Sequence, residues 1–166
     1  MVNPMDFHEH YMQMALREAQ TAMEDNEVPT GCVIVQHAEG DDSGRGRIIG
    51  RAHNQVERLK DPTAHAEMIA ITQAASASGD WRLTNTTLYV TKEPCAMCAG
   101  AIVLARVPTV VFGVSDPKRG GLSVFNIVQH PDLIHRCEVV AGVLEVESLG
   151  MLQAFFRAKR EANKTQ

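Results

Sequence analysis

Residues 65 to 77 carry apolar side chains almost all the way round a helix: Met68, Ile69, Ala70, Ile71, Ala74 and Ala75. A helix without a wide polar face must be covered on most sides. Residues 96 to 105 repeat this pattern, and the runs Gly31 to Val35, Thr87 to Thr91, Val107 to Val114 and Glu138 to Leu144 read as strands. Apolar strands alternating with apolar helices predict an α/β fold of three layers, α-β-α, in which helices pack on both faces of a central mixed sheet of about five strands.

The remaining elements complete the order α-β-β-α-β-α-β-β-α. Residues 7 to 24 set Tyr11, Met14, Ala15, Ala19, Ala22 and Met23 on one helical face, with Asp6 ahead of them as N-cap. Ile48 to Gly50 is the partner of the first strand, across a polar connection of residues 36 to 47 that carries Glu39, Asp41 and Asp42. The pair is expected to form a hairpin with a long tip. Residues 145 to 160 form the closing helix.

No repeat or linker divides the 166 residues, so residues 1 to 166 read as a single domain, one that buries roughly 70% of its extended surface. The longest apolar run, Met97 to Ala105, is about half of the ~20 residues that cross a bilayer. Asp6, Glu9 and Glu18 break any secretory leader, which predicts a cytoplasmic protein with no membrane contact. The net charge of −4 excludes a basic body of the kind many nucleic-acid binders present, so any polyanion surface must be local. One such surface lies between Phe155 and Gln166, where Arg157, Lys159, Arg160 and Lys164 face only Glu161.

Chemistry concentrates in His65-Ala66-Glu67 and Pro94-Cys95-Ala96-Met97-Cys98, each opening a predicted helix. On a helix, Cys95 and Cys98 lie about 60° apart on one face and grip one ion. With His65 they give the two thiolates and one imidazole that a tetrahedral zinc ion accepts while keeping its fourth position open to water. Glu67 is the base for that water. A step of two residues puts His65 and Glu67 about 200° apart on a regular helix, so both reach one ion only if they straddle the helix start. An activated water beside a proton-shuttling carboxylate suits attack on an electron-poor ring carbon bearing an exocyclic amine, which is hydrolytic deamination. H-x-E followed by P-C-x-x-C is the general signature of zinc nucleobase deaminases. A structural zinc would need a fourth protein ligand. Cys32 and Cys137 are the candidates, but both read better as small buried residues in strands, and the other histidines as surface or capping groups.

The sequence resembles the bacterial tRNA-specific adenosine deaminases, of the cytidine deaminase-like fold, over nearly its whole length. Matching stretches are Glu27-Val28-Pro29, Asp61 to Glu67, Glu93 to Ala101, Val110 to Gly113 and Phe155-Phe156-Arg157. The resemblance implies deamination of adenosine to inosine at the wobble position of a tRNA anticodon loop, by a homodimer with one zinc per subunit. It makes Asn54 the group that hydrogen-bonds the target nucleotide and Val28 a pocket wall. Ala66 joins the substrate-binding set, and Asp116, Lys118 and Phe156 match positions that contact the splayed anticodon loop. Two segments depart from the family pattern: the long tip of residues 36 to 47, and the run Arg119 to Phe125. The alternative is a deaminase of a free base or nucleoside of the guanine or cytosine type, with the same metal motifs. A non-catalytic zinc-stabilised binding module is the third reading.

An unpaired loop offers bases to aromatic platforms and phosphates to cations. If the tail docks phosphates, affinity for an anticodon stem-loop falls with added salt by about 0.7 log unit per log unit of salt for each contact. A flat titration removes the tail from the docking surface.

Overall fold

Five strands form one sheet in the order β2-β1-β3-β4-β5, seen in a computed structural model that describes residues 3–41 and 43–165. The strands are β1 (Gly31–Gln36), β2 (Arg47–His53), β3 (Thr86–Lys92), β4 (Thr109–Val114) and β5 (Glu138–Val140). β1 runs antiparallel to both β2 and β3, whereas β3, β4 and β5 are parallel, so the sheet is mixed. The α-helices are α1 (Pro4–Glu24), α2 (Val56–Leu59), α3 (Ala66–Ser78), α4 (Ala96–Leu104) and α5 (Glu145–Lys164).

The two faces of the sheet follow from the two-residue period of a strand. Cys32, Ile34, Leu88, Val90, Val110 and Phe112 point to one side, where they meet Ala66, Ala70 and Ala74 of α3 and Ala99, Ile102 and Val103 of α4. Val33, Val35, Tyr89 and Val111 point to the other, against Tyr11, Met12 and Ala15 of α1. α5 lies beside α1 and packs on β4 and β3. Residues 32 to 35 are apolar without alternation because both of their faces are covered. Each fully buried branched side chain there contributes about 1.5–3 kcal/mol.

Two glycines set how closely the layers approach. A Cβ on Gly31 would run into the carbonyl of Ala15 in α1, and one on Gly50 would lie 2.5 Å from the carbonyl oxygen of Ala70 in α3. The helix backbones therefore rest directly on strand backbones, from opposite faces.

The architecture agrees with the expected one, with two short additions, α2 and a 3-10 turn over Ile127–Gln129, and the other differences lie at element ends. α1 begins earlier, at Pro4, because the Asn3 side chain accepts a hydrogen bond from the Met5 amide at 3.1 Å and Pro4 suits the first turn. Asp6 is not the N-cap; it sits in the first turn, where the helix dipole favours an acid. β2 is longer than Ile48 to Gly50. β4 starts at Thr109, since Pro108 has no N–H for the ladder. β5 ends at Val140, and positive φ angles at Gly142 and Leu144 (81° and 52°) turn the chain into α5. α5 runs on to Lys164.

The hairpin tip is tied back to the body. The hydroxyl of Tyr11 donates to the Gly46 carbonyl at 3.1 Å and accepts from its amide at 3.0 Å, and the His37 ring lies 2.8 Å from Arg45 O and 2.9 Å from Thr87 Oγ1. Asp42 lies outside the described residues. His53 is not a surface group: its ring is 13% exposed, between Glu18 and Asp25.

Gly31→Ala is expected to destabilise the protein by about 1–3 kcal/mol, because α1 must lift from β1. The check is the midpoint of a urea melt; an unchanged midpoint contradicts the direct backbone contact.

Candidate metal centre

β3 and α4 are joined by Glu93, Pro94 and Cys95, and Cys95 is the N-cap of α4, with extended backbone (φ −71°, ψ 174°). His65 is the N-cap of α3 in the same conformation (φ −75°, ψ 152°). Neither side chain caps its own helix. They turn toward each other, with His65 Nδ1 lying 3.6 Å from Cys95 Sγ and 3.5 Å from Cys98 Sγ. Cys95 thus stands just outside the helix on which the spacing placed it. Residues at N-cap and N3 still face one another across the first turn, as in a capping box, so the pair converges.

The set fits zinc. Zn–S near 2.3 Å and Zn–N near 2.0 Å in a tetrahedron place N and S roughly 3.5 Å apart, which is the separation found. All three donor atoms lie within 4.8 Å of one another, and among the described residues no fourth His, Cys, Asp or Glu joins them. Cys32 and Cys137 are instead packed in the core between the sheet and α3/α4.

Charge in the cluster is arranged for a cation. The Cys95 thiol is pulled down to about 3, first by a hydrogen bond from the Cys98 side chain and then by His65. Its thiolate in turn raises His65. Cys98 is pushed far up, because it is the donor to that thiolate and is buried. An ion held here replaces these shared protons.

Glu67 is the second residue of α3, two beyond His65, so the pair straddles the helix start. Its carboxyl is 3% exposed, burial raises its pKa, and Oε2 has no hydrogen-bond partner. An orphaned buried oxygen costs free energy unless a ligand or water completes it.

His65, Glu67 and Cys95 line a cleft of about 230 Å³ together with Val28, Asn54 and Lys159. Typical drug-sized sites occupy about 300–1,000 Å³, so this one has room for a single flat base rather than a length of chain. Lys159 brings α5 to the cleft mouth, with its ammonium 5.1 Å from the Phe155 ring centroid. The remaining expected residues stand outside the cleft. Ala66 has its side chain in the core. Asp116 pairs with Lys92 at 2.7 Å and accepts from the amides of Lys118 and Arg119. Lys118 is exposed. Phe156, 44% exposed, borders a groove on the outer face of α5 and meets Phe155 edge-on at 5.3 Å.

Sequence reasoning missed the part played by Glu27. Its buried carboxylate accepts from the amides of Glu57 and Arg58 (3.1 and 2.7 Å) and from Asn54 Nδ2 at 3.4 Å. That anchors the single turn of α2 and fixes the Asn54 amide. No local signal marks the link, since Glu27 and Arg58 are far apart in sequence.

A family model described as the cytidine and deoxycytidylate deaminase zinc-binding region matches residues 5–114. The chain is 51% identical over 158 residues to a tRNA-specific adenosine deaminase of Bacillus subtilis, across 94% of this chain and 92% of that protein. With a tRNA-specific adenosine deaminase of Aquifex aeolicus it shares 46% identity over 153 residues, 92% of this chain and 95% of the relative. A solved structure from studies of A-to-I editing by tRNA:A34 deaminases at the wobble position superposes with a TM-score of 0.78, at 42% identity, over 86% of this chain and 99% of that one. A guanine deaminase from Nitrosomonas europaea, 20% identical with a TM-score of 0.70 over 89% of this chain and 83% of its own, shares the fold.

In metal-stripped protein, Cys95 should be alkylated by iodoacetamide at a rate nearly flat from pH 5 to 8. A thiol with its pKa near 3 is already thiolate throughout that window, whereas an ordinary thiol gains thiolate as pH rises toward about 8.5. Mass mapping of the labelled residue checks this, and zinc should suppress it.

Proposed function

Because this chain belongs to the zinc-binding cytidine and deoxycytidylate deaminase family, we propose that it hydrolyses adenosine to inosine at the wobble position of tRNA anticodon loops, releasing ammonia. The observation that carries the reaction type is the buried, unpartnered Glu67 oxygen beside a three-donor metal set. Identity near 50% to tRNA-specific adenosine deaminases over nearly the whole length supports the substrate.

His65, Cys95 and Cys98 would hold the zinc ion, which when bound would supply Lewis acidity that makes water a stronger nucleophile toward C6 of adenine. Glu67 does the proton work. It takes a proton from water as the oxygen bonds to C6 and delivers it to ring N1. The remaining proton of that water, now a hydroxyl on C6, passes through the same carboxyl to the exocyclic nitrogen, and the C6–N bond breaks with departure of ammonia as the C6 carbonyl forms. Burial raises the pKa of Glu67 above the ordinary carboxylate value, the direction that suits a group that must both take and return a proton.

Asn54, its amide fixed by Glu27, hydrogen-bonds the base or its ribose, and Val28 forms the apolar wall. Ala66 serves through its backbone N–H, which lies in the first turn of α3 without an intrahelical acceptor. Lys118, Asp116 and the exposed ring of Phe156 meet the rest of the anticodon loop. The unit is one domain over residues 1–166, working in the cytoplasm as a homodimer. Exposed Leu59, Val124 and Phe125 on segments bordering the site support a partner copy that covers them. Among the described residues no helix is long and apolar enough to cross a membrane.

The test offers an adenosine-containing anticodon hairpin, and separately a panel of free bases, to the zinc-loaded protein. Inosine should form in the hairpin. Glu67→Ala should retain one zinc per chain and lose about 10²- to 10⁴-fold in turnover. An unimpaired rate in that variant rejects the mechanism, and turnover of free guanine alone moves the protein to another substrate class.

A further inference from the structure

A second buried carboxylate, Glu93, stands two residues before Cys95 and is 2% exposed. Oε2 accepts from the Asp116 amide at 2.8 Å and the Ser123 hydroxyl at 3.0 Å, while Oε1 accepts from the amides of Leu122 at 3.2 Å and Ser123 at 2.6 Å. Two donors on each oxygen fill the capacity of a carboxylate, and all four come from one loop. That loop is further joined to the metal-bearing strand end. The Gly121 amide donates to the Pro94 carbonyl at 2.8 Å, and Cys95 forms an isolated bridge with Gly120. A Cβ on Gly120 would run into the Glu93 carboxylate, and one on Gly121 would lie 2.7 Å from the Cys95 carbonyl oxygen.

Gly120 to Leu122 are therefore buried, and the cations Lys118 and Arg119 stand exposed beside them. The Lys92–Asp116 ion pair holds the near end of the same loop.

We infer that Glu93 is a positioning residue for RNA: it clamps residues 116 to 123 against the metal-bearing segment, so that Lys118 and Arg119 are presented to the anticodon backbone at a fixed place relative to the cleft. The inference rests on the proposed tRNA substrate. It also gives the run Arg119 to Ser123 a purpose, since its two glycines and one serine are the residues that let a loop close round a carboxylate.

Glu93→Gln keeps shape but replaces one acceptor oxygen by an amide that faces two donors. In zinc-loaded protein it should raise KM and Kd for the hairpin about tenfold, the equivalent of one lost charge-assisted hydrogen bond, with kcat within about threefold and one zinc still bound. Amide exchange at Asp116, Leu122 and Ser123 should accelerate. Ser123→Ala, which removes one side-chain donor at an exposed position, should give a smaller rise in the same direction and guards against misfolding of the first variant. A change in kcat with KM unmoved, loss of zinc, or unchanged binding in both variants overturns the clamp. No turnover of the hairpin by the unaltered chain sinks the substrate reading and the clamp with it; turnover with unchanged KM in both variants sinks the clamp alone.

Discussion

Two helices begin at one point, and the rest of the molecule holds them there. His65 and Cys95 are the N-caps of α3 and α4, and both turn their side chains away from their own helix toward a shared centre. The unpaired amides of two first turns add positive potential where two thiolates and a carboxylate must sit, which offsets part of the cost of gathering negative charge. Moving either helix by one turn, about 5.4 Å, would disperse the three donors. The apolar surfaces of α3 and α4 prevent that, because both pack into the same face of the sheet.

The cleft is organised by buried carboxylates with different duties. Glu27 and Glu93 are hydrogen-bonded by backbone amides and act on structure, the first fixing Asn54 and α2, the second gathering the loop after β4. Glu67 alone among the three has an oxygen without a partner. Among the described residues His53 Nε2 and Ser148 Oγ are also buried without a partner, but only the Glu67 oxygen belongs to a residue that lines the cleft beside the three metal donors. The same reasoning separates the cysteines: two sit in packed core without charged neighbours of use, and two share protons with a histidine.

Much of this was legible in the residues, for reasons that differ by element. The core helices and β1 were readable because a segment covered on both sides has no polar period to hide it. The metal set was readable because ligand chemistry is tied to residue type and short spacing. Element ends were less so. Asn3 displaced Asp6 as the cap of α1, and Gly142 and Leu144 cut β5 short, through backbone conformations that several sequences could adopt. α2 left no signal, because one turn of helix has little stability of its own and exists here by its bonds to Glu27.

By itself the sequence determined the layered fold and the three metal donors, since these depend on hydrophobic pattern and on the identity of side chains. Tertiary structure alone decided which groups meet. It put Lys159 at the cleft mouth and Phe156 on an outer groove although they lie three residues apart, and it tied Glu27 to Asn54 and Glu93 to Ser123 across about thirty residues each. Contacts of that range depend on how helices seat on a sheet, and the seating is set by packing at points such as Gly31 and Gly50, where no side chain intervenes.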